Sequence, residues 1–263
     1  MQKKSKESPS QVLIKDLQSI LSKNASLETK KWFENYLKGA IKYRGLKTPQ
    51  VQKIVYLWRK KHSLQNLPTE KQLKIAASLL KEPYAEDKFA GMLYLQKYLL
   101  KKVALDELIT LSSHLYDGGH IFDWSTADWY TVRVLQPLIR EHERKAVLAI
   151  TDWHKSTVLW KKRASVVALR ECTREKSSIP QIKKQITVLL PTNERFIQTG
   201  IGWVISDLSK NFEKAASTII EKHFSDLSLE VIKRHTKYME KHRTYVSEKK
   251  RLNQNGFAQK NTN

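Results

Sequence analysis

A single cysteine, Cys172, stands among 263 residues, which excludes an internal disulfide and fits a reducing cytosol or nucleus. It lies in an apolar helical stretch and reads as core in preference to a nucleophile. Glycine and proline are sparse, eight and seven, and convincing strand alternation is absent, so a β-rich fold is excluded. No apolar run approaches the roughly 18 residues a membrane span needs. The basic start Met1-Gln2-Lys3-Lys4-Ser5-Lys6 is not followed by the apolar core of a signal peptide. The eight histidines show no HExxH or Cys/His spacing, and neither a GxGxxG nor a GxxxxGKS loop occurs, so neither a metal nor a nucleotide cofactor is expected.

Acidic residues are scarce too. Asp and Glu number 26 against 48 Lys and Arg, a net charge of +22. Residues 241–263 carry +5 and residues 1–9 carry +2, leaving +15 in the body. The excess is therefore built into the folded part, and nucleic acid is the leading partner. An anionic membrane surface is the weaker alternative, because no segment looks like a dedicated basic amphipathic anchor. With 40% hydrophobic and 9% aromatic residues the body is globular, not disordered.

Apolar residues recur at spacings of three and four, the pattern of a helix with one buried face. Val12, Leu13, Leu17, Ile20 and Leu21 outline a first helix; Trp32, Phe33, Tyr36 and Leu37 outline a second, stopped by Gly39 or Gly45. Thr48 caps a third, with Pro49 at its first position and Ile54, Val55 and Trp58 inward. A fourth covers 69–80, and Pro83 opens a fifth through Phe89, Met92, Leu93, Leu95 and Leu99. Further helices are predicted over 105–115, 121–139, 143–153, 158–173, 180–190, 194–208, 212–224 and 229–238. About thirteen helices joined by short loops predict an all-α chain. Pairing at a period of roughly 40 residues predicts a HEAT-like helical-repeat solenoid of antiparallel pairs with a basic concave face suited to a duplex. A closed helical bundle is the alternative. One domain is expected over 10–244, between a basic N-terminal segment, 1–9, and a basic tail, 245–263, both without fixed structure.

Four segments carry candidate chemistry. In Phe122-Asp123-Trp124-Ser125-Thr126-Ala127-Asp128 the i,i+4 spacing puts the Trp124 indole and the Asp128 carboxylate on one helix face. An acid facing a polyanion is repelled by phosphate, so its presence there points to chemistry; the bland alternative is a surface carboxylate paired with a nearby base. The helix around Trp160-Lys161-Lys162-Arg163 places Trp160, Arg163, Val167 and Arg170 on one stripe, where an arginine beside a tryptophan can clamp phosphate; a solvated basic face is the alternative. Phe196-Ile197-Gln198-Thr199-Gly200-Ile201-Gly202-Trp203 holds two glycines inside a helical pattern, each costing about 1 kcal/mol relative to alanine. A packed helix or a ligand must approach the backbone there, close to Trp203; a core tryptophan over a tight helix crossing is the alternative. Finally, Tyr43-Arg44-Gly45-Leu46-Lys47-Thr48-Pro49 is a glycine turn running into a helix N-terminus, a natural phosphate seat.

In this order the four segments resemble those of the AlkD-like DNA glycosylases of the DNA alkylation repair superfamily, which are built from HEAT-like repeats. Gly45-Leu46-Lys47-Thr48-Pro49 looks like that family's Gly-hydrophobic-x-x-Pro turn. Asp123 to Asp128 is similar to its mid-chain acidic segment, followed by the matching Arg133-Val134-Leu135. Trp160 to Ser165 resembles its Trp-x-Arg-Arg-x-Ala-type helix, and Phe196 to Trp203 its Phe-Ile-x-x-x-Ile-Gly-Trp helix. The resemblance spans about residues 30–240 and implies hydrolysis of the N-glycosidic bond of cationic alkylated purines such as 3-methyladenine and 7-methylguanine. It implies that Asp128 stabilises the oxocarbenium sugar and helps position water, that Trp124 and Trp203 line the cleft, and that Arg163 grips the phosphate near the lesion. Arg44, Lys47, Thr48, Lys161, Lys162, Arg170 and Lys210 are the further candidates for DNA contact. The sequence departs from the family at Lys47, where the best-known member has glutamine, at Lys162 in place of arginine, and at Asp123 and Ser125 in place of asparagine and aspartate. The expectation is a monomeric protein, cytoplasmic and nucleoid-associated if bacterial, acting without cofactor on double-stranded DNA with alkylated bases. A non-catalytic DNA-binding repeat protein and a HEAT-type protein-interaction scaffold are the alternatives.

Overall fold

The computed structural model describes residues 8–260. Among them are thirteen α-helices and no strand, with one isolated bridge between Lys42 and Tyr84. The chain divides into two compact units, one up to Glu141 and one from His142, within the span that the sequence predicts as one domain. The boundary falls in a run of six polar residues, Arg140 to Lys145, that offers no apolar face to either side. Here the helix is broken at Glu143, whose φ of 44° is a conformation that side chains other than glycine rarely adopt. Up to Glu141 there are 24 basic and 14 acidic residues, net +10; from His142 there are 24 and 12, net +12. Both units are basic in their own right.

The first unit opens with α1 (Pro9–Lys23), whose Ser8 hydroxyl and Gln11 side chain satisfy each other's backbone N–H groups. Residues 1–7 of the segment expected to lack structure fall outside the described residues, and Ser8 and Pro9 already belong to this helix start. Helices α2 (Leu27–Leu37), α3 (Thr48–Lys61) and α4 (Thr69–Lys81) come next. Ile54, Val55 and Trp58 of α3 point inward as the spacing requires. Thr48 does not cap α3: Lys47 holds that position, and its backbone N–H donates to the Gln50 side chain instead of a hydroxyl serving as acceptor. The centre of the unit is α5 (Ala85–Tyr94), every residue of which is buried, packed by α3, α4 and α7. It continues into a π turn, Leu95–Leu99. After α6 (Leu105–Asp117), α7 (Trp124–Tyr130) also runs into a π turn, Thr131–Leu135, before α8 (Gln136–Thr151). The two π turns pack on each other. Such turns insert a residue into the helical ladder and rotate the next stretch of helix around its axis.

The second unit contains α9 (Leu159–Val167), α10 (Ile179–Leu189), α11 (Arg195–Lys222), α12 (Leu229–His235) and α13 (His242–Lys260). The helix expected over 158–173 is α9 followed by a tighter 3-10 turn, Ala168–Cys172. The two helices expected over 194–208 and 212–224 are the halves of α11, kinked at Phe212.

The tail expected to be unstructured from 245 is helical instead, and its first turns belong to the body. Tyr245 and Lys249, one turn apart, are both buried. The Tyr245 hydroxyl donates to Glu221, and the Lys249 ammonium donates to the Phe224 and Ser225 carbonyls just beyond the end of α11. A cation at a helix C-terminus satisfies orphan carbonyls and opposes the helix dipole. A basic, polar composition hides these two anchors. Residues 261–263 lie outside the described residues.

Candidate functional site

In the first unit, Asp123 starts the site. Its carboxylate is buried and caps α7, accepting hydrogen bonds from the Ser125 N–H (2.8 Å), the Ser125 hydroxyl (2.7 Å), the Thr126 N–H (3.2 Å) and the Thr126 hydroxyl. Here the aspartate that departs from the family's asparagine is the helix cap. It fixes the first turn of α7 and so the direction of Trp124 and Asp128, both half-buried. The Trp124 ring meets Tyr36 of α2 edge-on, centroids 5.5 Å apart. Arg133 emerges from the π turn below, stacks over Trp129 at 4.8 Å and donates to Gln96, while Val134 and Leu135 of the same motif are buried.

The turn at 43–49 is not an open phosphate seat. The Glu86 carboxylate already fills it, accepting from the backbone N–H groups of Arg44 (2.9 Å), Gly45 (2.8 Å) and Leu46 (3.0 Å). The turn does hold an anion, but an internal one, contributed by buried α5. Gly45 is obligatory, because its φ is +115° and a Cβ there would lie only 2.1 Å from the Ser26 carbonyl oxygen. Arg44 is likewise turned inward. Its guanidinium donates to fully buried Asp87 at 2.6 Å and to the Ser22 hydroxyl, and it lies 4.0 Å over the Tyr84 ring. Of the residues expected to touch DNA here, Arg44 is spent on the fold, Lys47 is exposed and Thr48 is half-buried. Lys88, next on α5, is buried and donates to the Leu80 carbonyl. Burial draws its ammonium down to about 8, opposed by the charges of Asp123, Asp87 and Glu82. Nothing in the periodicity of the fifth helix marks Glu86, Asp87 and Lys88 as interior, since three consecutive charges carry no apolar signal.

In the second unit, the α11 glycines face neighbouring helices. A Cβ on Gly200 would lie 3.2–3.3 Å from Arg163, Val166 and Val167 of α9, and one on Gly202 would lie 2.4 Å from the His235 ring of α12. The close approach inferred from sequence is helix packing on two sides. Arg163 is only 5% exposed; it donates to the Phe196 carbonyl and the Thr199 hydroxyl, tying α9 to the first turns of α11. Trp160 packs on Phe196 beside it, centroids 4.8 Å apart. Lys161 and Lys162 are more exposed than Arg163, and Lys161 lies 5.7 Å over the Trp153 ring. Trp203 is half-buried, so it is not a fully enclosed core residue. The Arg170 guanidinium covers one of its faces at 3.6 Å and is held there by Asp207 at 2.6 Å. Lys210 pairs with the other Asp207 oxygen. Trp203, Arg170 and Lys210 thus come together around Asp207, while Trp124 and Asp128 stand one turn apart on α7.

The packing at Gly202 has a measurable consequence. Burial, with the charges of Arg234 and Arg163, pushes the His235 imidazole down to about 4, so a neutral ring lies against the glycine at pH 7. Gly202→Ala forces that ring aside and should lower stability by about 1–3 kcal/mol. Adding His235→Ala should recover part of the loss. An unchanged melting temperature for Gly202→Ala alone would contradict this packing.

Among the described residues no group of three or more His, Cys, Asp or Glu side chains could hold a metal ion. Burial, with Glu175 and Glu171 nearby, pushes the Cys172 thiol up to about 11, far from a thiolate nucleophile at neutral pH. No helix of the described residues is long and apolar enough to cross a membrane.

The sequence profile of the family described as "DNA alkylation repair enzyme" matches residues 17–239, most of the chain. The chain belongs to this family. Family membership gives it a role in DNA repair, with DNA as the partner. Its fold is similar to a solved structure described as "Predicted DNA alkylation repair enzyme from Enterococcus faecalis", with a TM-score of 0.72 and 18% identity over 82% of this chain and 97% of that one. No curated protein matches the chain. The matched span contains the α7 pair, the α9 stripe and the α11 glycines alike. The spacing puts Trp32 and Tyr36 on the buried face of the second helix, whereas both are largely exposed and Tyr36 touches Trp124; Asp207, which holds Arg170 against Trp203, is not signalled at all. Both contacts act across long sequence separations, where no local spacing signals a partner.

Proposed function

We propose that this DNA repair protein is a glycosylase that hydrolyses the N-glycosidic bond of cationic alkylated purines, 3-methyladenine and 7-methylguanine, in duplex DNA. The observation that carries the proposal is the α7 pair: a partly exposed carboxylate, Asp128, one turn from an indole, on a helix whose start is fixed by a buried cap. A positively charged base is already a good leaving group. The C1′–N bond breaks, its electron pair leaves with the base and neutralises it, and water adds to C1′ and loses a proton. No strong general acid is needed. The barrier lies in the cationic sugar, which a nearby carboxylate and an aromatic face stabilise. In this proposal Asp128 supplies that charge and orients the water, and Trp124 supplies the face. Trp203, with one side covered by Arg170, offers a further aromatic face to the DNA. Lys47, Thr48, Lys161 and Lys162 contact phosphates, and Arg163 acts mainly by setting α9 against α11.

Two measurements on the wild-type protein test this reading. Duplex DNA carrying methylated purines should lose 7-methylguanine or 3-methyladenine under single-turnover conditions. Affinity for duplex should fall roughly 10³–10⁵-fold between about 50 and 200 mM salt if six to ten phosphates are engaged. Binding without base release would favour a non-catalytic DNA-binding protein, and salt-insensitive or absent DNA binding would favour a protein-interaction scaffold.

A further inference from the structure

The exposed face of α2 carries two large aromatic rings that the chemistry above does not use. Trp32 is 59% exposed and Tyr36 57% exposed, although each could bury far more apolar surface in a core. They lie one turn apart with rings within 16° of parallel and centroids 5.2 Å apart. Phe33, between them in sequence, turns inward and stacks on buried Tyr43 at 4.4 Å, while its ring meets Trp32 edge-on at 4.9 Å. The helix is therefore pinned beneath the pair, so their outward direction is imposed and not a loose surface rotamer. Tyr36 in turn meets Trp124, making a row of three rings from the surface of α2 to the turn that precedes Asp128, all within the first unit.

We propose that this row is a stacking site for an unpaired base of a DNA strand, with Trp32 its outer ring. A nucleobase is planar and presents a π face, and its attached phosphates are anionic. The rim matches both. Lys31 is exposed beside Trp32, Lys38 follows the helix in a left-handed conformation, and Lys42 is exposed beyond it. Of the two acids on α2, Glu34 lies 3.8 Å from Lys30, which offsets its charge. Lys31 and Asn35 on the same exposed face make it less apolar than a surface that seats a hydrophobic partner, although Leu27 is exposed at the helix start. Aromatic platforms edged with cations bind single strands with little sequence preference, because every base has a π face. The inference rests on the DNA-partner reading but not on base release. It assigns the chain an added affinity for DNA in which a base has left the duplex stack.

The test uses the full chain with three labelled DNAs: a perfect duplex, the same duplex with one looped-out nucleotide, and a thymidine single strand. Wild type should bind the looped duplex more tightly than the perfect one. Trp32→Ala should weaken binding to the looped duplex and the single strand roughly tenfold more than to the perfect duplex, and Trp32→Phe should restore most of the difference. Because Trp32 is largely exposed, the variant's melting temperature should stay near that of wild type. Equal affinities of wild type for looped and perfect duplex, or equal losses on all three DNAs, would overturn the proposal. So would a self-associating wild type that Trp32→Ala makes monomeric, since a second copy would then cover the face. A wild type that stacks an unpaired base yet releases no methylated purine would leave this site standing and remove the glycosylase reading.

Discussion

Asp128→Asn should leave duplex affinity and melting temperature near wild type while lowering single-turnover release of methylated purine by about 10²–10³-fold. Asparagine keeps the size and hydrogen-bonding reach of the side chain but carries no charge. The charge is what the proposal uses, since it stabilises positive charge that develops only as the glycosidic bond breaks. Removing one preorganised electrostatic group from a transition state typically costs about 2.7–4 kcal/mol, which corresponds to that range. The side chain is partly exposed, and the cap that starts its helix is Asp123. Release rates for Asp128→Asn within about threefold of wild type would remove Asp128 from the chemistry. A parallel loss of DNA affinity would make it a binding residue.

Arg44→Ala should lower stability by about 3–5 kcal/mol, the usual effect of removing one partner from a buried ion pair. The structure leaves Asp87 fully enclosed, with Arg44 at 2.6 Å and the Gln18 amide at 3.2 Å as its hydrogen-bond donors. Burial already holds the Asp87 carboxyl above the ordinary range, against the downward pull of Arg44. Without Arg44 that opposition is gone, and the folded protein favours the protonated acid still more. A folded-state pKa above the unfolded value gives stability that is present below about pH 4 and is lost as pH rises through the folded value. The deficit relative to wild type should therefore be smallest in acid and grow toward neutrality. Arg44→Ala, Asp87→Asn should recover part of the loss at pH 7. If Arg44 instead served DNA, the single variant would melt like wild type, lose affinity for every sequence alike and show a shallower salt dependence. Thermal melts from about pH 4 to pH 8, beside duplex titrations at two salt concentrations, separate the two roles.

The different fates of Arg44 and Asp128 mark what could be read without coordinates. In the sequence Arg44 looks like any surface arginine, and its turn has the glycine and helix start of an anion site. That reading found the right chemistry with the wrong anion, because the carboxylate that fills the turn comes from Glu86, some forty residues on. The glycines of α11 were legible as a close approach. Which neighbours made the approach was not, because Val166, Val167 and His235 lie far away in sequence. Arg170 sat correctly on a stripe with Arg163, yet Asp207 turns it onto the face of Trp203 and away from an open surface.

The sequence by itself determined the helices, most of their inward faces and the common face of Trp124 and Asp128. These follow from the 3.6-residue period and its i,i+4 neighbours, which are local properties of one helix. It also pointed to a polyanionic partner, since net charge is a sum that needs no coordinates. Only the tertiary structure decided which charges are interior. Glu86, Asp87, Lys88, Arg44 and Arg163 are each tolerated away from water because a donor, acceptor or opposite charge from a distant segment meets them there. A buried polar group is stable only when so paired, and that pairing is set by how helices pack, not by the spacing of residues along any one of them.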